Sequence, residues 1–464
     1  MTATDRTADV VVIGAGYSGL SAARSLAAAG ADVMVVEARG RVGGRVWTES
    51  SDGGAVIDHG GQWLGPTQSH LQALADEFGV STFPTYVDGA SIEVRDGRRF
   101  EFKGLVPTSD PDAAAETVSA LLELDLLAQE VSPIRPWDHP DAAALDGQTL
   151  AGWLEGAVES PGSRDLIATA VLAVFGCEPV ELSFLYTLAY AHSGGSMSSL
   201  VRTVGGAQER RFVGGAQQIA LRLADELGDR VVLDAPVTSV AHAADRATVV
   251  AARAGADGTR TEWSVSAGRV VVAVPPAVQA RIAFDPPLPG ARDQLAQHAP
   301  MGSVTKVHAV YDRPFWRDEG LNGQVVADRG ALRAVFDDSP DDGSHGILVG
   351  FIAGQADRAL EGAGPDGRRA LALEELAVAF GPTAGSPREF VEQRWSAEPF
   401  TRGGPVACFG PGLLTATGDA LRTPIGPIHW AGTETAEQWT GYIDGAISSG
   451  HRAATEVVAA RGTT

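Results

Sequence analysis

Residues 10–19 read VVVIGAGYSG, and 18 positions beyond the last of those glycines stands Glu37, closing a second apolar run, VMVVE. No other feature constrains the fold as tightly. Val10–Ile13 has the β-branched composition of a buried strand, and Gly14-Ala15-Gly16-Tyr17-Ser18-Gly19 turns it into a helix predicted over Leu20–Ala29. Gly14 permits the tight turn, Gly16 lets a pyrophosphate approach the backbone, and Gly19 allows the helix to pack closely on the strand. The anion rests on unpaired N–H groups at the helix N-terminus, where the helix dipole also favours it. Glu37, at the tip of the second strand, is placed to accept hydrogen bonds from an adenosine ribose. Strand, glycines, helix, strand and acid in this order predict an α/β fold with a Rossmann-like dinucleotide site.

The next segment narrows the choice of dinucleotide. Ala38-Arg39-Gly40-Arg41-Val42-Gly43-Gly44-Arg45 is a second loop rich in glycine and arginine. A nicotinamide enzyme has no evident use for it. A flavoprotein uses such glycines to pass close to a large cofactor, and Arg45 to pair with its phosphates.

Bulk properties set the remaining bounds. A chain of 464 residues is too long for one core and predicts two domains. Hydrophobic content of 44% with 20% charged residues is that of an ordinary globular protein. The net charge of −22 argues against a nucleic acid partner and against an anionic membrane surface. No apolar stretch approaches the roughly 20 residues that span a bilayer, and the polar start MTATDRTAD lacks a signal-peptide core. The expectation is a cytoplasmic enzyme without a membrane anchor, monomer or homodimer. Cys177 and Cys408 are too few for a disulfide framework, and sequence does not decide whether they pair. The histidines, including His59 and His451, form no metal-ligand pattern, so no metal is expected.

Several separated segments carry a resemblance: DHGGQWLGP (Asp58–Pro66), GGAQERRFVGG (Gly205–Gly215), DPPLP (Asp285–Pro289), MGSVTKVHAVYDRPFWR (Met301–Arg317) and AGTETAEQWTGYIDGA (Ala431–Ala446). Together with the two glycine loops they resemble the FAD-dependent amine oxidases, the family of monoamine, polyamine and bacterial putrescine oxidases. The likeness runs over nearly the whole chain. It implies an FAD domain interleaved with an α+β substrate domain whose sheet floors the cavity. On this reading the FAD domain takes residues 8–88, 212–300 and 391–464, and the substrate domain takes 89–211 and 301–390. Helices are predicted over Glu116–Glu130 and Leu182–His192, strands over Val231–Val240 and from Val270, a turn at Ser339–Ser344, and a last helix within Gly441–Ala454.

The resemblance also implies roles. FAD contacts fall on Gly14, Gly16, Ser18, Gly19, Glu37, Ala38, Arg39, Gly44, Arg45, Gly60, Gly61, Gln62, Trp63, Val237, Pro275, Gly432, Thr433, Glu434, Tyr442 and Ile443. Lys306, in the apolar segment SVTKVHAV, matches the lysine that reaches the flavin through a water and serves its reoxidation. An unpaired ammonium in such a segment is costly, which marks it independently. Trp395 matches a tryptophan beside the flavin ring. Tyr442 matches one of two tyrosines that flank the amine's path; the other should follow Gly403-Gly404, where this chain has Pro405-Val406. The cysteine that attaches FAD covalently in mitochondrial enzymes is missing there too, so noncovalent FAD is expected, with Cys408 a weaker alternative attachment site. Leu200, Gln208, Ala334, Phe351 and Pro405 are implied as substrate-pocket residues, Phe336 and Trp316 as weaker ones, while Phe175, Phe184 and Tyr190 read as core.

The implied reaction is oxidative deamination of a primary amine by dioxygen, giving carbonyl, ammonia and hydrogen peroxide. Ala334 stands where the putrescine oxidases place a glutamate for the second ammonium of a diamine. An apolar site there predicts bulky monoamines, alicyclic such as cyclohexylamine or arylalkyl, unless Asp337 or Asp338 restores the charge. A diamine oxidase, an L-amino-acid oxidase with a carboxylate-clamping arginine, a flavin desaturase or porphyrinogen oxidase and a non-catalytic flavin-binding module stay open as alternatives.

Overall fold

Valines at successive positions of the first strand divide between two cores. In the computed structural model, which describes residues 5–254 and 260–461, Asp5–Ile13 is a central strand. Val10 and Val12 pack under the helices Tyr17–Ala28, Gln217–Leu227 and Ile443–Arg461, while Val11 and Ile13 face the opposite layer with Trp263 and Trp430. Burial on both faces is what a parallel strand between two layers requires. The sheet has eight strands, running Val231–Val232, Val33–Val36, Asp5–Ile13, Arg260–Val272, Ala247–Ala254, Val237–His242 and Ala283–Asp285, with Ile428–Trp430 added beside Val270–Val272. Its centre is parallel: Val10–Ile13 pair with Val33–Val36 on one side and Arg269–Val272 on the other.

The first helix sits closely on this sheet. Gly14 has φ +103°, and a Cβ on Gly19 would fall 1.9 Å from the Gly14 carbonyl oxygen. The final helix packs against the first just as tightly: a Cβ on Gly450 would lie 2.2 Å from the Ser18 oxygen. The last segment therefore returns to the start of the chain and completes the nucleotide layer.

A second, seven-stranded sheet is ordered Glu389–Arg394, Val304–Tyr311, Gly346–Ala353, Leu332–Asp337, Leu321–Ala327, Ala90–Arg95 and Arg98–Phe102. Helices Pro111–Glu130, Pro161–Phe175 and Phe184–Ser193 build a separate apolar core with the segment Val406–Phe409. Two expected boundaries fall inside strands: Glu389–Arg394 crosses residue 390, and Arg210–Phe212, which pairs with Trp63–Leu64 and Thr82–Pro84, crosses residue 211. The strand expected over Val231–Val240 is broken in two, because Asp234 adopts φ +55° and the amides of Asp234 and Ala235 donate to the carbonyls of Arg39 and Glu37. Cys177 and Cys408 are paired as a disulfide, which sequence had left open. Among the described residues no helix is long and apolar enough to cross a membrane.

Candidate active site

A single cavity of about 1020 Å³ runs from the glycine turn to an apolar chamber under the second sheet. At its nucleotide end the first helix opens without a side-chain cap, since Gly16 is its N-cap residue, so its first N–H groups are available to an anion. Glu37 lines this end, and its two oxygens accept from the amides of Ala15 (2.7 Å) and Arg39 (2.9 Å), which fixes the carboxylate against the turn. Ser18 Oγ accepts from Gly432 N–H at 2.8 Å and so ties the turn to the C-terminal motif. An uncapped helix end, glycines under the path and a fixed acid fit the pyrophosphate and ribose of FAD.

Arg45 lines the cavity too, and it forms a two-point pair with the buried Glu434 and donates to Pro405 O at 2.8 Å. Glu434 balances its charge from behind the wall and does not itself line the cavity, and Gly19 is covered by strand packing rather than facing the cofactor space. The other residues implied for FAD (Gly14, Gly16, Ser18, Ala38, Arg39, Gly44, Gly60, Gly61, Gln62, Trp63, Val237, Pro275, Thr433, Tyr442 and Ile443) all line the cavity.

Midway along the cavity is Lys306, buried on an interior strand between Gly346–Ala353 and Glu389–Arg394. Its Nζ donates to Asp58 O (2.6 Å), Gly60 O (2.9 Å) and Gln62 Oε1, the last a very short contact. Burial lowers its pKa to about 8, against the opposing pull of Asp338 and Asp58. The loop that receives it, Asp58–Trp63, is anchored by Trp395, whose Nε1 donates to His59 O at 2.8 Å. Gln62 continues the network by donating to Asp338 Oδ1, which also pairs with Arg211 at 3.1 Å. Arg211 and His308 lie in segments that carry the resemblance, but neither was singled out, and Asp338 was weighed only as a charge for the amine. His308 had a signal, because it lies two residues from Lys306 and strand periodicity puts both on one face.

The chamber beyond is walled by Leu200, Gln208, Ala334, Phe336, Phe351, Pro405 and Tyr442. Tyr442 is packed edge-on to Trp439 at 5.0 Å and near Tyr190 at 6.4 Å between ring centroids. Tyr190 belongs to the apolar core with Phe175 and Phe184, as read from the sequence, and it also lines the cavity. Trp316 is excluded from the pocket: its Nε1 donates to Asp337 at 2.9 Å on the far side of the sheet strand. Asp337 is further held by Arg317 and the Ser339 amide, and neither Asp337 nor Asp338 reaches the cavity wall. Among the described residues the wall carries one carboxylate, Glu37, at the nucleotide end. Arg202 lines the chamber's outer part but is exposed, unlike the buried clamp an amino-acid carboxylate needs. Neither cysteine reaches the cavity.

Residues 17–458 match the family model described as flavin containing amine oxidoreductase. The chain is 41% identical over 453 residues to a putative flavin-containing monoamine oxidase of Mycobacterium tuberculosis, covering 98% of this chain and 97% of that protein. It is 39% identical over 466 residues to the putrescine oxidase of Kocuria rosea, covering 99% and 96%. Its structure superposes on that of cyclohexylamine oxidase from Brevibacterium oxydans with a TM-score of 0.92 at 35% identity, covering 98% and 99% of the two chains.

Proposed function

The chain belongs to the flavin-containing amine oxidoreductases, and from that premise we propose that it deaminates bulky primary monoamines, alicyclic or arylalkyl, to the carbonyl compound and ammonia, with dioxygen reduced to hydrogen peroxide. FAD, noncovalently bound, supplies the two-electron acceptor for the C–N bond. Every other part of the reading concerns what this chain's side chains do.

The uncapped helix end and Glu37 hold the dinucleotide, and the Asp58–Trp63 loop presents Lys306 at the reacting edge. Tyr442 and Pro405 flank the amine's path to that edge. An alkylammonium titrates near pKa ~10 in water, and an apolar wall penalises the charged form, so the chamber favours the neutral amine with its lone pair free. Lys306 holds a positive charge near the site where dioxygen gains electrons, provided it is protonated.

The carrying observation is the wall around Ala334. Ala334 pairs across the strands with Phe351; Leu200, Phe336 and Pro405 line the same cavity, and among the described residues the cavity's one carboxylate is Glu37 at its nucleotide end. A second ammonium would enter unpaired, at a cost of several kcal/mol. A compact ring gains about 25 cal/mol per Å² of apolar surface buried. The test is kcat/KM for cyclohexylamine, phenylethylamine and putrescine with a peroxide readout. The monoamines should lead, and putrescine ranking first would refute the reading.

A further inference from the structure

Between Lys306 and the protein surface lies a group of buried polar atoms that the reading above leaves unused. His308 is fully buried, and apart from the neighbouring Asp58 backbone its ring nitrogens have no hydrogen-bond partner. Its Nε2 lies 3.7 Å from Asp338 Oδ2, a buried oxygen that also lacks one. His59 follows, its ring centroid 6.3 Å from that of His308 and edge-on to it. His59 Nδ1 is again unpartnered, while Nε2 lies 3.3 Å from Glu49 Oε2, whose side chain is 54% exposed. Arg211 Nε adds another orphan beside Asp338.

Unpartnered polar atoms at full burial are costly, and native proteins satisfy nearly all of them. Here they are contiguous. One end joins Lys306 through Asp338 and Gln62, and the other ends at a solvent-facing carboxylate. Such a row has the polarity and partner count that buried waters need. An imidazole is also the side chain best suited to pass a proton, taking it at one nitrogen and releasing it from the other.

We propose that Glu49, His59, His308 and Asp338 form a proton path from solvent to Lys306, with the two imidazoles as the transferring groups. The inference rests on the amine-oxidase reading only for the demand it serves. Reducing dioxygen to hydrogen peroxide takes two electrons and two protons. The hydride equivalent removed from the amine accounts for both electrons and one proton, so one more must reach the buried centre of the cavity. Lys306 Nζ gives up that proton, its N–H bond breaking as an O–H bond forms. His308, the next residue on the same face of the strand, re-protonates it; His59 restores His308, and Glu49 collects from water.

The charges facing the path suit transit rather than storage. His308 faces Lys306, His59 and Arg211, and His59 faces Glu49, Lys306 and Arg41. Burial first, then these cations, keep His308 far below the usual imidazole range; burial also lowers His59, with Glu49 opposing. Asp338 and Glu49 offset the imidazolium that forms in passing.

The test uses holoenzyme photoreduced without amine, mixed with oxygenated buffer, following flavin absorbance and proton uptake by an indicator dye. His308→Phe and His59→Ala should slow reoxidation and proton uptake together by about tenfold or more at unchanged FAD content, and Glu49→Gln by less. Added imidazole should restore His59→Ala. In the resting enzyme the C2–H of His308 should exchange in D2O, as that of an unhydrated core histidine would not. Unchanged reoxidation in the His308 and Glu49 variants, or no exchange at His308, would overturn the path. If His308→Phe fails to hold FAD, Glu49→Gln and the imidazole rescue still decide. Failure of the amine reading would appear separately, as enzyme that no amine bleaches anaerobically.

Discussion

The two ends of the cavity are built by different means. The nucleotide end is made mostly of backbone: glycines, amides at an uncapped helix and one carboxylate, most of them within residues 13–45, joined by the returning Gly432 segment and by residues such as Val237 and Pro275. The amine end is made of side chains drawn from strands and helices hundreds of residues apart, such as Leu200, Ala334 and Tyr442. A backbone site tolerates no change where a Cβ would collide, but is indifferent to much else. A side-chain chamber keeps its fold through substitution and changes what it accepts. The nucleotide end should therefore fail outright when broken, and the amine end should shift.

The largest effect is expected at the turn. At Gly14, φ is +103° and a Cβ would fall 2.9 Å from the Ala273 carbonyl oxygen. Gly14→Val is strained whatever space its neighbours yield. Purified protein should carry less than about a tenth of the normal FAD per chain by visible absorbance. Full flavin content would show that the turn is not the determinant of binding.

Lys306→Met tests the boundary between the two ends. It removes the ammonium that three acceptors hold against the Asp58–Trp63 loop but touches no part of the nucleotide turn. Reoxidation by dioxygen should slow by about 100-fold with FAD retained, the usual scale for losing an aimed charge or proton donor. Stopped-flow half-reactions measure it, and unchanged rates in both halves would reduce Lys306 to a structural role.

The same contrast explains what the sequence made legible. Gly14, Gly16 and Glu37 were readable because turn geometry and close approach are local demands that only certain residues meet. The break at Asp234 was not, because it serves pairing with Glu37 and Arg39, nearly 200 positions earlier in the chain. The last helix begins at Ile443, after Gly441 at φ +86°, as the glycine turn before it implied. The ion pair of Arg45 was not legible either, because nothing nearby announces Glu434, 389 residues on, as its partner. Tyr190 lies on a helix whose residues are nearly all buried, so periodicity could not tell the cavity face from the core. The Arg211–Asp338–Gln62 network exists only once three segments meet.

At the amine end, Ala334→Glu should shift preference without loss of FAD or of fold. The residue lines the chamber and pairs across the strands with Val326 and Phe351. A carboxylate there would meet a second ammonium in a desolvated wall, where one partner without the other is costly. The ratio of kcat/KM for putrescine over cyclohexylamine should rise by about 10- to 100-fold. A ratio that falls or stays level would place the size- and charge-selecting wall elsewhere.

The smallest effect, and the one that separates the two half-reactions, is in their pH dependence. Lys306 titrates at about 8, lowered from the ordinary lysine range by burial. Below that pH its charge is present and favours electron transfer to dioxygen; above it the charge is lost. Reoxidation of photoreduced enzyme should therefore fall severalfold as pH rises through about 8 and should be flat in Lys306→Met. Anaerobic reduction by a monoamine should move the opposite way, with its apparent second-order rate rising up to tenfold per pH unit toward the amine's own pKa, because the apolar chamber takes the free base. Opposite slopes require two distinct titrating groups, one on the protein and one on the substrate. If both half-reactions followed a single ionisation with the same sign, Lys306 would not be the group that governs dioxygen, and the neutral-amine requirement of the chamber would lose its support.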